Sequence, residues 1–465
     1  MSRFRLKLAT AAVFLSAWAR LSTLEPLNET AVFQIDPPTP YIHYVPADAS
    51  RGRVLVVHGL DVSKETTKLM SQSLADGGFE VYNIDLPGHG GSAAGFEAGL
   101  AQKAILNVMR RIGEDTIVLG HSLGAGLLLD LAENRHFSTM VLLSPPPLSI
   151  TRIQSGRTLI ATGAEDVPRI RTFVPIATDI GGPGVEAWIL PWAAHSAPIF
   201  NPVYVRRIVN WLGGNGARTK TLERIVLLCL MLSSAVVFGI TLMPGGAVTA
   251  DDIGIPGTLV RYIGASFAAV LILKFVNPFW WLRLFATDYL IGFLFVAGIC
   301  LIGTRANGRR KNPSLTSLTG IFSVLKALAA AAFVIVVLGW VTASNVLPVT
   351  LSGGRWWRFP CIVLASLPLL TFDELTIRRI HSRWKSFGAA LVTRALFWAF
   401  LMLGALVLSR QNAFLVLIIP LMVLFWIGLW LAAGVVHKHT NDPFAAALFA
   451  ALVQGWAFAA WFVLV

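Results

Sequence analysis

Two hydrophobic patterns divide the chain. Up to about residue 213, short apolar runs recur between polar, helix-like stretches: Ile42-His43-Tyr44-Val45, Val54 to Val57, Val81-Tyr82-Asn83-Ile84, Ile117 to Leu119, Met140 to Leu143, Leu159-Ile160-Ala161 and Trp188-Ile189-Leu190. Runs of that length alternating with helical stretches predict βα units, that is, a mostly parallel sheet with helices on both faces. From Ile225 to Val465 the apolar stretches are much longer, and a helix needs about 20 residues to cross a bilayer. Spans are expected near 225–245, 260–282, 287–303, 318–342, 389–408, 413–436 and 444–464. An eighth, near 356–372, is short and carries Pro360 and Pro368, so it reads as a broken or re-entrant segment. The fold class expected is an α/β domain followed by an all-α transmembrane bundle of seven to eight helices.

The flanks complete the domain map. Arg3, Arg5 and Lys7 precede an apolar run from Leu8 to Ala19 in which Ala17-Trp18-Ala19 resembles a small-x-small cleavage site, so residues 1–20 read as a signal peptide or short anchor. Residues 21–35 read as a linker and 36–213 as the α/β domain. Gly213-Gly214-Asn215-Gly216-Ala217 opens a flexible joint over 214–224, and 225–465 form the bundle.

Charge refines this picture. The chain carries a net +13, which taken alone suggests nucleic acid. Residues 36–213, however, hold 14 Lys and Arg against 16 Asp and Glu, a net −2, so the basic excess belongs to the apolar part. It clusters there as Arg305, Arg309, Arg310 and Lys311, and as Arg378, Arg379, Arg383 and Lys385. Such clusters mark cytoplasmic loops, so the partner implied is the lipid bilayer and not nucleic acid. Counting spans puts residues 36–213 outside the cytoplasm, although Arg218, Lys220 and Arg224 point the other way. The three cysteines, Cys229, Cys300 and Cys361, all lie in or beside apolar spans, and no Cys-x-x-Cys or His-Glu-x-x-His spacing occurs. No disulfide, metal or cofactor is implied.

The candidate chemistry lies in the α/β part. Ser122 sits in Gly120-His121-Ser122-Leu123-Gly124, between the apolar run Thr116-Ile117-Val118-Leu119 and a helix-like stretch. A serine hydroxyl is a poor nucleophile unless a sharp strand-to-helix turn lifts it clear of the sheet, and small residues two positions either side permit that turn. Asp166 and His195 follow in the order serine, acid, histidine, each in a loop after a strand-like run, and so at the edge where Ser122 emerges. Glu165, next to Asp166, is an alternative orienting acid. Oxyanion donors are expected at the N–H of Leu123 and, on the loop after Val57, at the N–H of Leu60. His58 and His89 are expected to organise their own turns through hydrogen bonds.

These residues resemble a known family. The stretch from Val54 through Asp85-Leu86-Pro87-Gly88-His89-Gly90-Gly91-Ser92 to the elbow is similar to the α/β-hydrolase superfamily, in particular its monoacylglycerol-lipase and serine-aminopeptidase-like branch, over residues 36–213. The resemblance places the acid three residues after Gly163, at Asp166. Two departures stand out. Ala125 intervenes before Gly126, where that branch has a glycine directly after the elbow. Only Ser144 to Thr158 separates the run ending at Leu143 from Leu159, too few residues for the cap domain that relatives insert there.

The resemblance implies a membrane-anchored serine hydrolase with a minimal lid or none, cleaving ester-type acyl bonds of a small-molecule or lipid substrate through Ser122, His195 and Asp166. Peptidase or thioesterase chemistry fits the same triad, and the size of the bundle leaves a transporter- or sensor-like protein as an alternative. Within the bundle Lys274, Lys326 and Arg394 are expected near hydrocarbon depth, and Asp373-Glu374 with Arg378 and Arg379 read as the start of a helix.

Overall fold

A computed structural model describes residues 3–243, 254–305, 318–343, 351, 354–408 and 415–464. Two compact units emerge: one built mainly from Leu8–Ala235, which also takes in Val463 and Leu464, and one built from the helices between Val236 and Phe462.

The first unit is organised by an eight-stranded sheet: β1 Asn28–Phe33, β2 Thr39–Tyr44, β3 Arg53–Val57, β4 Glu80–Ile84, β5 Ile117–His121, β6 Phe137–Leu143, β7 Ser155–Gly163 and β8 Val185–Leu190. Its order is β1-β2-β4-β3-β5-β6-β7-β8, antiparallel where β2 meets β1 and β4 and parallel elsewhere. Helices α1 Arg3–Thr23, α2 Lys68–Asp76, α3 Ala98–Ile112, α4 Leu123–Leu131, α5 Pro168–Gly181, α6 Ala197–Phe200 and α7 Pro202–Trp211 accompany it. Alternation along the strands sends side chains to two separate cores. Leu55, Val57, Val118, Met140 and Leu142 pack with α3, α4 and α5, whereas Val54, Val56, Leu119, Val141 and Leu143 pack with α2 and α7. The seven strand-like runs correspond to β2 through β8.

Two boundaries need correction. Residues 28–33, inside the expected linker 21–35, form the edge strand β1, paired in register from Asn28 opposite Tyr44 to Phe33 opposite Thr39. Its residues are all exposed or half-buried, so Asn-Glu-Thr-Ala-Val-Phe carries little of the apolar alternation that marks a strand. The 214–224 joint is not a loose tether either. Asn215 N–H donates to Gly77 O at 3.0 Å, Gly216 N–H to Asn210 Oδ1 at 2.8 Å, and the buried Arg224 guanidinium holds both oxygens of Asp76.

The second unit is helical. Helix α8 Thr221–Leu242 leads out of the first unit, and the second holds α9 Ile255–Phe275, α10 Thr287–Arg305, α11 Leu318–Ala343, α12 Arg355–Leu375, α13 Arg383–Leu403, α14 Leu415–Thr440 and α15 Pro443–Trp461. Among the described residues, eight helices are long and apolar enough to cross a membrane, beginning with Gly216–Leu242 and ending with Pro443–Trp461. The expected eighth span is an unbroken helix, with Pro360 and Pro368 inside it. Close packing explains why. A Cβ on Gly298 of α10 would stand 2.5 Å from Leu369 N, so α10 lies directly against the proline-weakened turn and supports it. Asp373 and Glu374 therefore end α12 and do not begin a helix. Of the basic residues expected to mark loops, Arg309, Arg310 and Lys311 lie outside the described residues.

A tight joint of the first unit is where α4 crosses the ends of β3 and β5. A Cβ on Gly124 would lie 2.4 Å from Val57 O, and one on Gly120 would lie 2.6 Å from Ala125 N. Gly124→Ala must push α4 away from β3, and the expected cost is about 1–3 kcal/mol; a lower unfolding temperature for the full chain in detergent checks it.

Candidate active site

Six strands deliver their carboxyl ends to one edge, and the turns that follow hold the polar residues of the site. After β5, Ser122 adopts φ 51° and ψ −115°, a conformation that costs a non-glycine residue of order 1–3 kcal/mol and persists only where neighbours impose it. They do so here. Ser122 N–H donates to Leu143 O at 2.8 Å and Gly124 N–H to His58 O at 3.1 Å. The serine is half-buried, and its side chain does not cap α4.

The acid and the imidazole come from β7 and β8. His195 Nδ1 lies 2.9 Å and 3.1 Å from the two oxygens of Asp166, so this nitrogen carries the proton and Nε2 presents its lone pair. Glu165 is exposed, while Asp166 is buried and is the carboxylate that meets His195. Burial opposes ionisation of Asp166, but the hydrogen bond and charge of His195, with the hydrogen bond from Thr162, outweigh it and hold its carboxyl below the usual range. Thr162 Oγ1 donates to it at 2.8 Å and Val167 N–H at 2.7 Å. No hydrogen bond joins Ser122 Oγ to His195 among the described residues; the two meet through their neighbours, the rings of His121 and His195 having centroids 5.2 Å apart.

Two further residues act on His195 from behind. Its carbonyl accepts from Ser144 Oγ at 3.0 Å and from His121 Nε2 at 3.2 Å. No local sequence signal identifies Ser144, which is 51 positions away. Thr162, four residues before Asp166, is a polar residue at a strand end and could have been noticed.

The loop after β3 closes the other side. A Cβ on Gly59 would be 3.2 Å from Ser122 Cβ, so this loop packs directly on the elbow. His58 fixes it: Nδ1–H donates to Gly59 O at 2.7 Å and Nε2 accepts from Leu86 N–H at 3.0 Å. His89 similarly donates through Nδ1 to Pro87 O at 2.8 Å. Among the described residues neither Leu60 N–H nor Leu123 N–H has a protein acceptor, as expected for a free turn and for a first helical turn. Asp85 knots the next turn, taking Lys64 Nζ at 2.6 Å and Gly91 N–H at 2.8 Å. No group of three or more metal-ligating side chains occurs among the described residues.

Residues 54–218 match the sequence profile of the α/β hydrolase family. This part of the chain has the α/β-hydrolase fold. Among solved structures, a monoacylglycerol lipase of Paleococcus ferrophilus is 17% identical, with 40% of this chain covering 99% of that one at a TM-score of 0.33. A carboxylesterase of Bacillus subtilis is 17% identical (44% and 98% covered, TM-score 0.34), and a bacterial membrane phospholipase A 14% identical (44% and 92%, TM-score 0.36). No curated protein sequence matches the chain.

Burial pushes His58 and His121 down to about 3, so both are neutral in the folded chain. An unfolded imidazole binds a proton below about pH 6.5, so the unfolded state then holds more protons. The stability these residues contribute is complete above pH 6.5 and is lost as pH falls towards 3. At pH 5 the loss is about 2 kcal/mol for each. The full chain is expected to unfold at lower temperature at pH 5 than at pH 7, and His121→Asn to flatten that dependence.

Proposed function

We propose that this protein is a membrane-anchored serine hydrolase that cleaves ester-type acyl bonds, with Ser122 as nucleophile, His195 as general base and acid, and Asp166 as the group that orients the imidazole. The observation that carries the reading is the bond from His195 Nδ1 to the buried Asp166, at the sheet edge where the strained Ser122 emerges. It leaves Nε2 unprotonated and able to take the serine proton. Ser122 Oγ then adds to the acyl carbonyl, and the oxyanion is received by the N–H groups of Leu60 and Leu123. His195 returns the proton to the leaving alcohol, and a water molecule, deprotonated by the same imidazole, releases the acid.

A lipid-like acyl chain suits the surroundings. Only residues 144–154 connect β6 to β7, leaving no room for a cap. Trp192, three positions from His195, is 91% exposed, and Ile189 at the end of the preceding strand is 56% exposed. Large apolar side chains left in water beside a reactive group fit an amphiphilic substrate. Five of the candidate spans separate this domain from the basic connection holding Arg378, Arg379, Arg383 and Lys385; an odd number supports an extracytoplasmic hydrolase domain.

A second reading, a transporter- or sensor-like protein, is favoured by one observation. The helical unit buries Asp373 with Tyr262 and Arg394, and Glu374 with Arg378 and His437, beside a small cavity of about 20 Å³ lined by Asp373, Glu374, Arg394, Trp426 and Trp430. Buried charge among apolar helices is a common mark of transport.

Labelling with a fluorophosphonate decides between the two. Wild type should be modified at Ser122, Ser122→Ala should not, and long-chain esters should be turned over faster than short soluble ones. An unreactive Ser122 in folded protein rejects the hydrolase, and activity confined to short esters rejects the lipid preference. Ser144→Gly gives a finer check. Ser144 has φ 48°, which glycine adopts freely, so the variant deletes the hydroxyl that donates to His195 O without straining the backbone. Labelling should slow by about fivefold, the equivalent of one neutral hydrogen bond, with the unfolding temperature unchanged or raised.

A further inference from the structure

Val463 and Leu464 lie against the loop after β3, which packs on the elbow, and against the 88–96 loop. Val463 N–H donates to Asp61 Oδ1 at 2.9 Å, across 402 positions of sequence. Leu464 N–H donates to Gly88 O at 3.0 Å, and Leu464 O accepts from Phe96 N–H at 3.0 Å. The segment thus runs like a short strand between the 88–96 loop and the loop after β3. Asp61 is itself in an unfavourable conformation, φ 54°, and is buried. It stands next to Leu60, and two residues from Gly59, which packs on Ser122. A strained turn needs an outside partner to hold it, and the carboxylate of Asp61 receives one from Val463.

We propose that Val463 and Leu464 are positioning residues of the active site: they pin the turn at Leu60 and Asp61 so that the Leu60 N–H stays aimed at the oxyanion. The inference rests on reading Ser122 as the nucleophile. It assigns a function to a segment that no local motif marks, and it lets residues 402 positions from Asp61 brace a loop of the hydrolase domain. The physical argument is one of degrees of freedom. An oxyanion donor accelerates a reaction only if it is aligned beforehand, and a loop free to relax from φ 54° at Asp61 would turn that N–H away.

Val463→Pro removes the donor N–H, and Phe462 before it is already extended at φ −84° and ψ 149°, the conformation that a residue before proline adopts. In the full chain, Val463→Pro and Asp61→Ala should each lower kcat on an ester substrate about tenfold at unchanged KM, the loss expected for one hydrogen bond to a charged group. Asp61→Asn, which keeps an acceptor oxygen, should stay near wild type, and the double variant Val463→Pro/Asp61→Ala should be no slower than either single one. Hydrogen exchange of the peptides spanning 58–62 and 86–96 reads the same contact without catalysis and should quicken in Val463→Pro. Unchanged exchange and kcat in that variant, losses that multiply in the double, or Asp61→Asn as impaired as Asp61→Ala would overturn the proposal. Wild type that fails to label at Ser122 while exchange still responds to Val463→Pro would reject the nucleophile reading and, with it, the catalytic role of the contact.

Discussion

The site depends on how closely α4 approaches the end of β3. With Gly124 lying where any side chain would strike Val57 O, the helix can start immediately after Ser122, and the serine is forced into its left-handed conformation at the top of the turn. The contact is polar as well as close, because Gly124 N–H reaches His58 O and Ser122 N–H reaches Leu143 O. Three neighbouring strands, β3, β5 and β6, therefore fix one residue. A backbone strain of this kind survives only when it is overdetermined in this way, and the same crossing brings the loop after β3 against the elbow.

Around that crossing, the buried polar groups divide into charged and neutral sets. Asp166 and Asp85 are buried carboxylates with several donors each, while His58 and His121 are kept neutral by burial. The division matters for chemistry. A second imidazolium beside His195 would oppose the positive charge that the proposed general base must accept, and a neutral His121 instead offers its Nε2–H to the carbonyl of His195. The imidazole is thus held at both ends, by Asp166 on the ring and by Ser144 and His121 on the backbone, while its Nε2 is left open.

Much of this was legible in the order of residues, and the reason is local. Ser122, Asp166 and His195 each follow a strand whose apolar run is self-evident, and a parallel sheet sends all such loops to one edge. What sequence could not show depends on register between distant segments. Ser144 reaches His195 because β6, β7 and β8 pair so that Leu143 is level with Ala161 and Gly163 with Leu190. The strand over 28–33 was hidden because no face of it is well buried, and the helix over 355–375 because prolines that break a helix in water are tolerated between close neighbours. Val463 and Leu464 carry no signature of any kind, since they contribute backbone groups that every residue has.

The helical unit shows the same contrast between local and distant partners. Asp373 and Glu374 are consecutive, so on a helix their side chains diverge by about 100°. Each consequently serves a different interface: Asp373 meets Tyr262 of α9 and Arg394 of α13, and Glu374 meets His437 of α14. Only Arg378, four residues beyond Glu374 and 3.0 Å from it, is a partner that spacing alone would suggest. Buried ion pairs contribute little net stability, because desolvation offsets most of the attraction, yet losing one member strands a charge at a cost of several kcal/mol. Two adjacent carboxylates facing different helices therefore do more to fix which helices are neighbours than to hold them together. In a unit whose other contacts are mostly apolar, and so nearly interchangeable, that discrimination is what such costly groups can supply.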